Sequence, residues 1–528
     1  MQNNKKNIIL TGFMATGKTS VGRTLASHLG YDFVDTDHLI EAKTGMTIAE
    51  FFQEKGEAAF RKMEADLARE LADKSGMVIA TGGRFMLDGD NAAVLGKSGR
   101  VFCLVATPEE ILKRAESDHH VRPLLQVPNP LEHIVELLQQ RRKGYSKFAQ
   151  FVTSEKNPET VAEDLVGIIA GGPDVRLPIA AHSDRYDFIV GGGLLPFISQ
   201  LAGIDGPIAI ITDDTVGPLY AQSCGIVDVV VTMPPGRKNK TLATAQAIYE
   251  QLLQADFDRS GTVIALGGTV ISELAGFIAA TYMRGVDCVQ CPTSLLAMVD
   301  TSIGGKTGID MPNAKNLIGA FKQPKSVIAD IATLQSLSPR AFASGMAEVI
   351  KHSLIADSDL LQKIESGSWI QTSGKIGQQA LELQALVAQA IQVKINIVQE
   401  DPYDQGRRAV LNFGHTFANA IERLSHHSVN HGEAVAMGMV AAANLSVKLG
   451  YCPEELENRV ESVLVASGLP IRIPNDLVPK QLLQAMGSDK KKKAGRLRYV
   501  LLKDVGDVFV TDQVPEETIL DTFAALKS

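Results

Sequence analysis

The chain has 528 residues, a length that divides into three or four ordinary domains. Its 45% apolar and 21% charged content is that of a globular protein with sizeable cores. A net charge of −8 argues against a general nucleic-acid binder, and an odd, scattered set of five cysteines argues against a disulfide scaffold and for a reducing compartment.

The opening "MQNNKKNIILTGFM" has too short an apolar run for a signal peptide, and no run is long enough to span a bilayer. The expectation is a soluble, cytoplasmic protein with neither nucleic acid nor membrane as partner. "NIILTGF" reads as a buried parallel strand. A helix with Val21, Leu25 and Leu29 on one stripe follows, then the strand "YDFVDTD". "IAEFFQEKGEAAFRKMEADLARELA" reads as one helix, "MVIATGG" and "VFCLVAT" as strands, and "PEEILKRAE" as the next helix. This alternation predicts a doubly wound parallel α/β domain over residues 1–170.

Gly12-x-x-x-x-Gly17-Lys18-Thr19 has the full spacing of a P-loop between a strand and a helix. Its glycines let backbone N–H groups turn inward around phosphates. Lys18 neutralises the terminal phosphates, and the Thr19 hydroxyl is suited to Mg²⁺. Asp35 and Asp37, two apart at a strand end, share one face, so one can reach the Mg²⁺ shell and the other a substrate hydroxyl. Glu57, Arg61 and Glu64 fall at i, i+4 and i+7 of a helix, which alone reads as a surface ion-pair ladder.

With "FVDTDHLIE", "GEAAFRKMEADL", "ATGG", "VRPLL" and "RRKGYSKFA" in order, residues 5 to 155 resemble shikimate kinase. The resemblance implies ATP with Mg²⁺ and shikimate as substrates. It assigns ATP contacts to Gly12, Ala15, Thr16, Gly17, Lys18, Thr19 and Ser20, with Arg122 as the lid arginine. Asp37, Arg61, Gly83 and Arg141 would hold shikimate, and Asp35 with Thr19 would serve the Mg²⁺. Phosphoryl transfer needs positioning and cationic stabilisation, and a carboxylate suits arginine forks. One departure is Arg84, which stands where the family has a third glycine.

"AGGPDVRLP" (170–178) reads as a linker. A second α/β series follows in "YDFIVGGGLL", "PIAIITDD", "VDVVVTM" and "TVIALGG", predicting a Rossmann-like domain over 171–325. Beyond about Gln323, helical patterns such as "LELQALVAQAIQVKINIVQ" and "HGEAVAMGMVAAANLSVKL" predict a mainly α-helical metal-binding domain over 326–528. The basic run in "SDKKKKAGRLRYV" reads as a solvated loop. Cys288-x-x-Cys291 has no second pair, so it does not specify a zinc site.

Gly305-Lys306-Thr307 copies the end of a P-loop, but Asp300 stands where the first glycine is required. It is therefore no second P-loop. Around it lie Arg284, Lys306, Lys315, Lys394 and Arg408, which suggest an anion site. Glu348, His415 and His431 are candidate ligands of a catalytic divalent metal, although spacing alone would also allow buried histidines of the core.

The ordered segments "GGTVISELAGFIAATYMRG", "PTSLLAMVDTSIGGKTGIDMPNAKNLIGAFKQP", "SGMAEVIKH", "RRAVLNFGHTF" and "HGEAVAMGM" resemble 3-dehydroquinate synthase, from about Tyr186 to the C-terminus. The resemblance implies a tightly bound NAD, a zinc or cobalt ion, and cyclisation of a heptulosonate phosphate to dehydroquinate. In that family NAD transiently oxidises the C5 hydroxyl, phosphate is eliminated, the ketone is reduced, and the ring closes by an aldol step. The resemblance makes Glu348, His415 and His431 the metal ligands. It puts Arg284, Asp300, Lys306, Lys315, Asn316, Lys394, Arg408 and Asn412 at substrate and catalytic positions, with Lys351 close by. Cofactor contacts would come from Asp213, Lys240, Gly267, Gly268, Thr293, Ser294, Lys306 and Lys315. It also implies a homodimer through this half.

Departures again stand out. Asn419 replaces a family histidine, Asp404 shortens a glutamate, and Thr269 and Glu273 alter the glycine turn. Arg237 replaces a cofactor-contacting glutamate, and an arginine near a ribose could favour a 2′-phosphate, which leaves NADP as the alternative to the expected NAD. The reading is a bifunctional shikimate-pathway enzyme. The alternatives are a cyclase half acting on another sugar phosphate, or a kinase half reduced to ATP binding.

Overall fold

Strands β1 (Asn7–Gly12), β2 (Asp32–Asp35), β3 (Met77–Ala80), β4 (Gly99–Val105) and β5 (Ala149–Val152) form a parallel sheet in the order β2-β3-β1-β4-β5. The structure, a computed structural model, describes residues 5–117, 125, 127–170, 174–181, 184–312, 314–367, 378–426, 428–487 and 497–527. Arg122, part of the expected linker (171–173) and most of the basic run (488–496) lie outside the described residues.

Side chains alternate across the sheet. Ile9, Ile79 and Cys103 face one core, while Ile8, Leu10, Val78 and Leu104 face the other. Both faces are therefore covered, which is why the strands read as unbroken apolar runs. β1 lies between β3 and β4, so its carboxyl end opens where the chain connections diverge, a usual place for a ligand in such sheets. The helix Ile48–Ala72 begins with a Thr47–Glu50 capping box but breaks at Gly56, whose φ of 76° and ψ of 170° are not helical. The sequence pattern hides this break because the apolar period resumes after it.

The second sheet has seven strands. β6 (Val175–Ala181), β7 (Asp184–Gly191), β8 (Ile208–Asp213), β9 (Val229–Met233), β10 (Thr262–Gly267) and β11 (Asp287–Pro292) precede the hairpin β12 (Lys306–Met311) and β13 (Ala314–Phe321). β14 (Ser326–Asp330) then returns to the sheet, giving β6-β7-β14-β11-β10-β8-β9. A final hairpin pairs β15 (Tyr499–Asp504) with β16 (Asp507–Thr511).

Two elements differ from the sequence reading. β6 occupies much of the expected linker: Pro178 is tolerated there because β6 is an edge strand, antiparallel to β7. β14, a wholly buried "SVIAD", sits between β7 and β11 beyond the point where helices were expected to take over. Five apolar-rich residues carry no period of their own.

The chain clusters into two compact units, Met1–Gly171 with Gly193–Ala209 and Pro218–Val230, and Gly172–Gly192 with Ile210–Gly217 and Val231–Ser528. In the second unit the helices Pro339–Ala356, Gln378–Glu400, His415–Leu424 and His431–Lys448 share one large core. The last two touch at backbone distance: a side chain on Gly438 would collide with the Gly414 carbonyl. Small residues there bring His415 and His431, each the first residue of its helix, close together.

Candidate functional site

In the first unit the phosphate loop leaves β1 at Gly12, whose φ of 135° and closeness to the Leu104 carbonyl admit no side chain. Ala15 and Gly17 also have positive φ (57° and 93°). The Thr16 hydroxyl donates to the Phe13 carbonyl at 2.8 Å and locks the turn. Lys18 Nζ donates to the Gly12 and Phe13 carbonyls at 3.0 and 2.7 Å, so it is held within the loop. Thr19 Oγ1 donates to Asp35 Oδ2 at 2.8 Å, while Asp35 Oδ1 accepts from the Asp37 amide at 3.1 Å. Ser20 is exposed on the helix Lys18–Leu29.

Asp37 faces Gly82: a Cβ on Gly82 would lie 2.6 Å from Asp37 Oδ1. Burial, then the Asp35 charge, push the Asp37 carboxyl up, against the pull of Lys18. Arg61 donates to Glu64 at 2.6 Å and Glu57 at 3.1 Å. Gly83 approaches Arg141, whose guanidinium lies 5.1 Å from the Phe13 ring centre. The Tyr145 hydroxyl donates to the Gly83 carbonyl at 2.6 Å. The sequence reading did not single out Tyr145; its signal was its place one helical turn after Arg141. Phosphate donors, an Mg²⁺-type pair and the Asp37, Arg61, Arg141 group thus belong to one unit.

The second unit holds a cavity of about 260 Å³. Asp300, Lys306, Asn316, Lys351, Lys394, Arg408, Asn412 and His415 line it, joined by Glu273 and Asp404. Lys306, of the second "GKT", begins β12 after a helical turn at Ala297–Thr301, the reverse of the strand–loop–helix order of a P-loop. Its Nζ donates to Asp404 at 2.6 Å. Lys394 Nζ donates to Asp300 Oδ1 at 2.6 Å. Burial lowers the Lys394 pKa, and the charge of Asp300 resists that. Asp300, despite its burial, is held below the usual carboxylate range by Lys394. Arg408 donates to the Pro402 carbonyl at 2.8 Å and packs on Gly304 (φ 91°), where any side chain would strike the guanidinium. Arg284 is instead exposed in a left-handed turn (φ 65°), and neither it nor Lys315 is on the cavity wall.

The expected cofactor positions gather at strand ends. Gly267 ends β10, and Gly268 caps the helix Thr269–Thr281. A Cβ on Gly268 would meet only Ser294 Oγ, at 3.5 Å, so the backbone there is open to close approach. The Thr293 amide, just after β11, donates to the Gly267 carbonyl at 3.0 Å. Asp213, ending β8, accepts from the Thr215 and Val216 amides at 2.9 and 3.0 Å. Lys240 is fully buried against Glu273 and Asn316, with Asp310 at 3.4 Å. Arg237 donates to both oxygens of Asp310, at 2.8 and 3.2 Å, and is thereby occupied.

Beside the cavity, where His415 is on the wall, Glu348, His415 and His431 present ligand atoms all within 4.8 Å of one another. His415 Nε2 and His431 Nε2 lie 3.6 and 3.5 Å from the fully buried Glu348 Oε1. That is long for a hydrogen bond, and close to the roughly 3.4 Å edge of a tetrahedron of donors about a zinc-sized ion. The donor set therefore fits a divalent metal. Lys351 pairs with Glu348, and His431 Nδ1 contacts Glu422 Oε1 at 2.9 Å. Glu422, missed by the sequence reading, also accepts from Lys315 at 3.3 Å. Its signal was one turn of helix beyond Asn419, which itself is not on the cavity wall. Burial works against the His431 cation, but Glu348 and Glu422 outweigh it and hold the imidazole pKa at about 10.

Residues 230–344 match the family model of the 3-dehydroquinate synthase N-terminal region and residues 345–492 that of its C-terminal region. The 3-dehydroquinate synthase of Synechococcus sp. is 40% identical over 365 residues, which cover 67% of this chain and 99% of that protein. The chain belongs to the 3-dehydroquinate synthase family. The enzyme of Symbiobacterium thermophilum is likewise 40% identical, over 65% of this chain and 98% of its own. Residues 14–170 match the shikimate kinase model, ahead of the synthase segment. The two segments make the chain a bifunctional shikimate-pathway enzyme, a kinase and a lyase. A 2-epi-5-epi-valiolone synthase from Streptomyces hygroscopicus shares the fold of the synthase segment, with a TM-score of 0.60, 24% identity, and coverage of 66% of this chain and 98% of that one. Among the described residues no helix is long and apolar enough to cross a membrane.

Proposed function

We propose that the N-terminal segment phosphorylates shikimate with ATP and Mg²⁺, and that the synthase segment converts 3-deoxy-D-arabino-heptulosonate 7-phosphate to 3-dehydroquinate and phosphate. The observation that carries the second activity is the Glu348, His415, His431 cluster, whose His415 lines the same cavity as Lys306, Lys394 and Arg408.

In the kinase segment, Gly12, Ala15, Thr16, Gly17 and Ser20 shape the phosphate loop, and Lys18 turns from its carbonyls to the phosphates of ATP. Thr19 and Asp35 would hold the Mg²⁺, which supplies charge neutralisation. Asp37, whose carboxyl burial pushes up, takes the proton of the acceptor hydroxyl. Arg61 and Arg141 take the acceptor carboxylate, and Gly83 lets the backbone approach it.

In the synthase segment, Glu348, His415 and His431 would hold zinc or cobalt, which polarises the hydroxyl to be oxidised. NAD, cradled by Gly267, Gly268, Thr293 and Ser294, with Asp213, Lys240 and Lys315 nearby, would supply the reversible hydride transfer. Lys394, paired with Asp300, and Arg408 bind the substrate's anionic groups, with Lys306, Asn316 and Asn412 orienting its hydroxyls. Asp310 occupies Arg237, which favours NAD over NADP. In the same reading the synthase segment pairs with a second copy, to which exposed Arg284 is available, and the protein works in the cytoplasm.

The test is phosphate release from the heptulosonate phosphate by full-length protein with NAD and zinc or cobalt, before and after chelation. Chelator-sensitive release with formation of dehydroquinate supports the reading; no release from folded, metal-loaded protein overturns it.

A further inference from the structure

Arg84 stands at the rim of the kinase acceptor site, and its backbone (φ −109°, ψ −6°) suits any residue, so its side chain is not there for conformational reasons. Its Nη1 donates to Glu57 Oε1 at 3.3 Å. The same oxygen accepts from Arg61 Nη2 at 3.1 Å. Arg61 is also tied to Glu64, which is buried, at 2.6 Å. A guanidinium between two carboxylates carries a net negative surrounding. A third carboxylate, arriving on an acceptor, would be repelled by it. Arg84 brings this group of four side chains to neutrality and gives Glu57 a partner other than Arg61. Its charge also reaches Tyr145, whose hydroxyl holds the Gly83 carbonyl.

We propose that Arg84 is a positioning residue of the acceptor site, retaining Glu57 so that Arg61 is released to the carboxylate of the incoming acceptor. The inference rests on the shikimate kinase reading above. Acceptor entry exchanges one ion pair for another: Arg61 leaves Glu57 for the substrate, and Glu57 remains with Arg84. Because Glu57 and Arg84 are both largely exposed, the effect is moderate and weakens with salt.

The experiment uses full-length protein and shikimate as the probe, measuring steady-state constants and equilibrium dialysis for R84G, R84K and R84G/E57Q. R84G is expected to raise the KM for shikimate about three- to tenfold with kcat changed by less than about twofold, as the loss of one partly exposed charge pair implies. R84K should stay near wild type. Removing the competing charge in R84G/E57Q should restore the KM. An R84G protein with unchanged KM overturns the assignment, as does a double variant no better than R84G. If wild type neither binds nor phosphorylates shikimate, the kinase reading fails and the assignment falls with it. If wild type does both and R84G equals it, only the Arg84 assignment fails.

Discussion

Glu422 accepts from the Nδ1 side of His431 at 2.9 Å, and this contact decides which ring nitrogen is left to face Glu348 and His415. A carboxylate behind a metal-binding histidine fixes ring orientation and raises its basicity. Glu422→Gln is expected to weaken zinc binding by about ten- to a hundredfold, measured by competition with a chromophoric chelator. The cobalt-loaded variant should show a shifted visible spectrum, which a purely structural role for Glu422 would leave alone.

Metal uptake should be strongly pH-dependent. The His431 pKa is raised from 6.5 to about 10 in the metal-free protein, so binding must displace a proton. For one proton, affinity rises about tenfold per pH unit between pH 7 and 9. The sign reverses for the metal-free fold. There the raised pKa contributes stability that is complete below pH 6.5 and lost as pH rises through about 10. Zinc titrations at several pH values, beside thermal melts of metal-free protein, read both trends.

Gly82→Ala should damage the kinase alone. The new methyl would sit 2.6 Å from Asp37 Oδ1, pushing the carboxylate from its place. A displacement of this order costs about a hundredfold in kcat/KM for shikimate. Phosphate release by the synthase segment is the internal control.

Gly304→Ala is the matching test in the other unit. With φ at 91° and Arg408 against the glycine, alanine is both strained and obstructive. Synthase kcat/KM should fall about a hundredfold while shikimate phosphorylation stays unchanged.

Arg237→Ala should leave the preference for NAD over NADP in place, because the guanidinium is committed to Asp310. Retention of each nucleotide on gel filtration reads this directly. A wild-type preference for NADP that Arg237→Ala removes would show that the arginine leaves Asp310 for a 2′-phosphate.

The P-loop was legible because its function resides in consecutive backbone, from Gly12 to Thr19. The three metal-ligand candidates were readable only in the company of ordered motifs. Lone histidines separated by tens of residues carry no spacing signal. Glu422, Tyr145 and the Arg237–Asp310 pair escaped the reading because each depends on a contact between distant elements. The strand at Ser326–Asp330 escaped for a simpler reason: five buried residues have no period to distinguish them.

The sequence by itself determined the two chemistries, since glycine placement, charge type and motif order are local properties. It also settled that Gly305-Lys306-Thr307 is no P-loop, because Asp300 stands where a glycine is needed. Only the tertiary structure decided which charges meet. It gathered Lys306, Lys394 and Arg408 on one cavity and left Arg284 exposed outside it. It brought His415 beside His431 through the close packing of Gly414 on Gly438. Coulombic and hydrogen-bonding partners are fixed by separations of a few ångströms, and residues far apart in the chain reach those separations only when helices and strands pack.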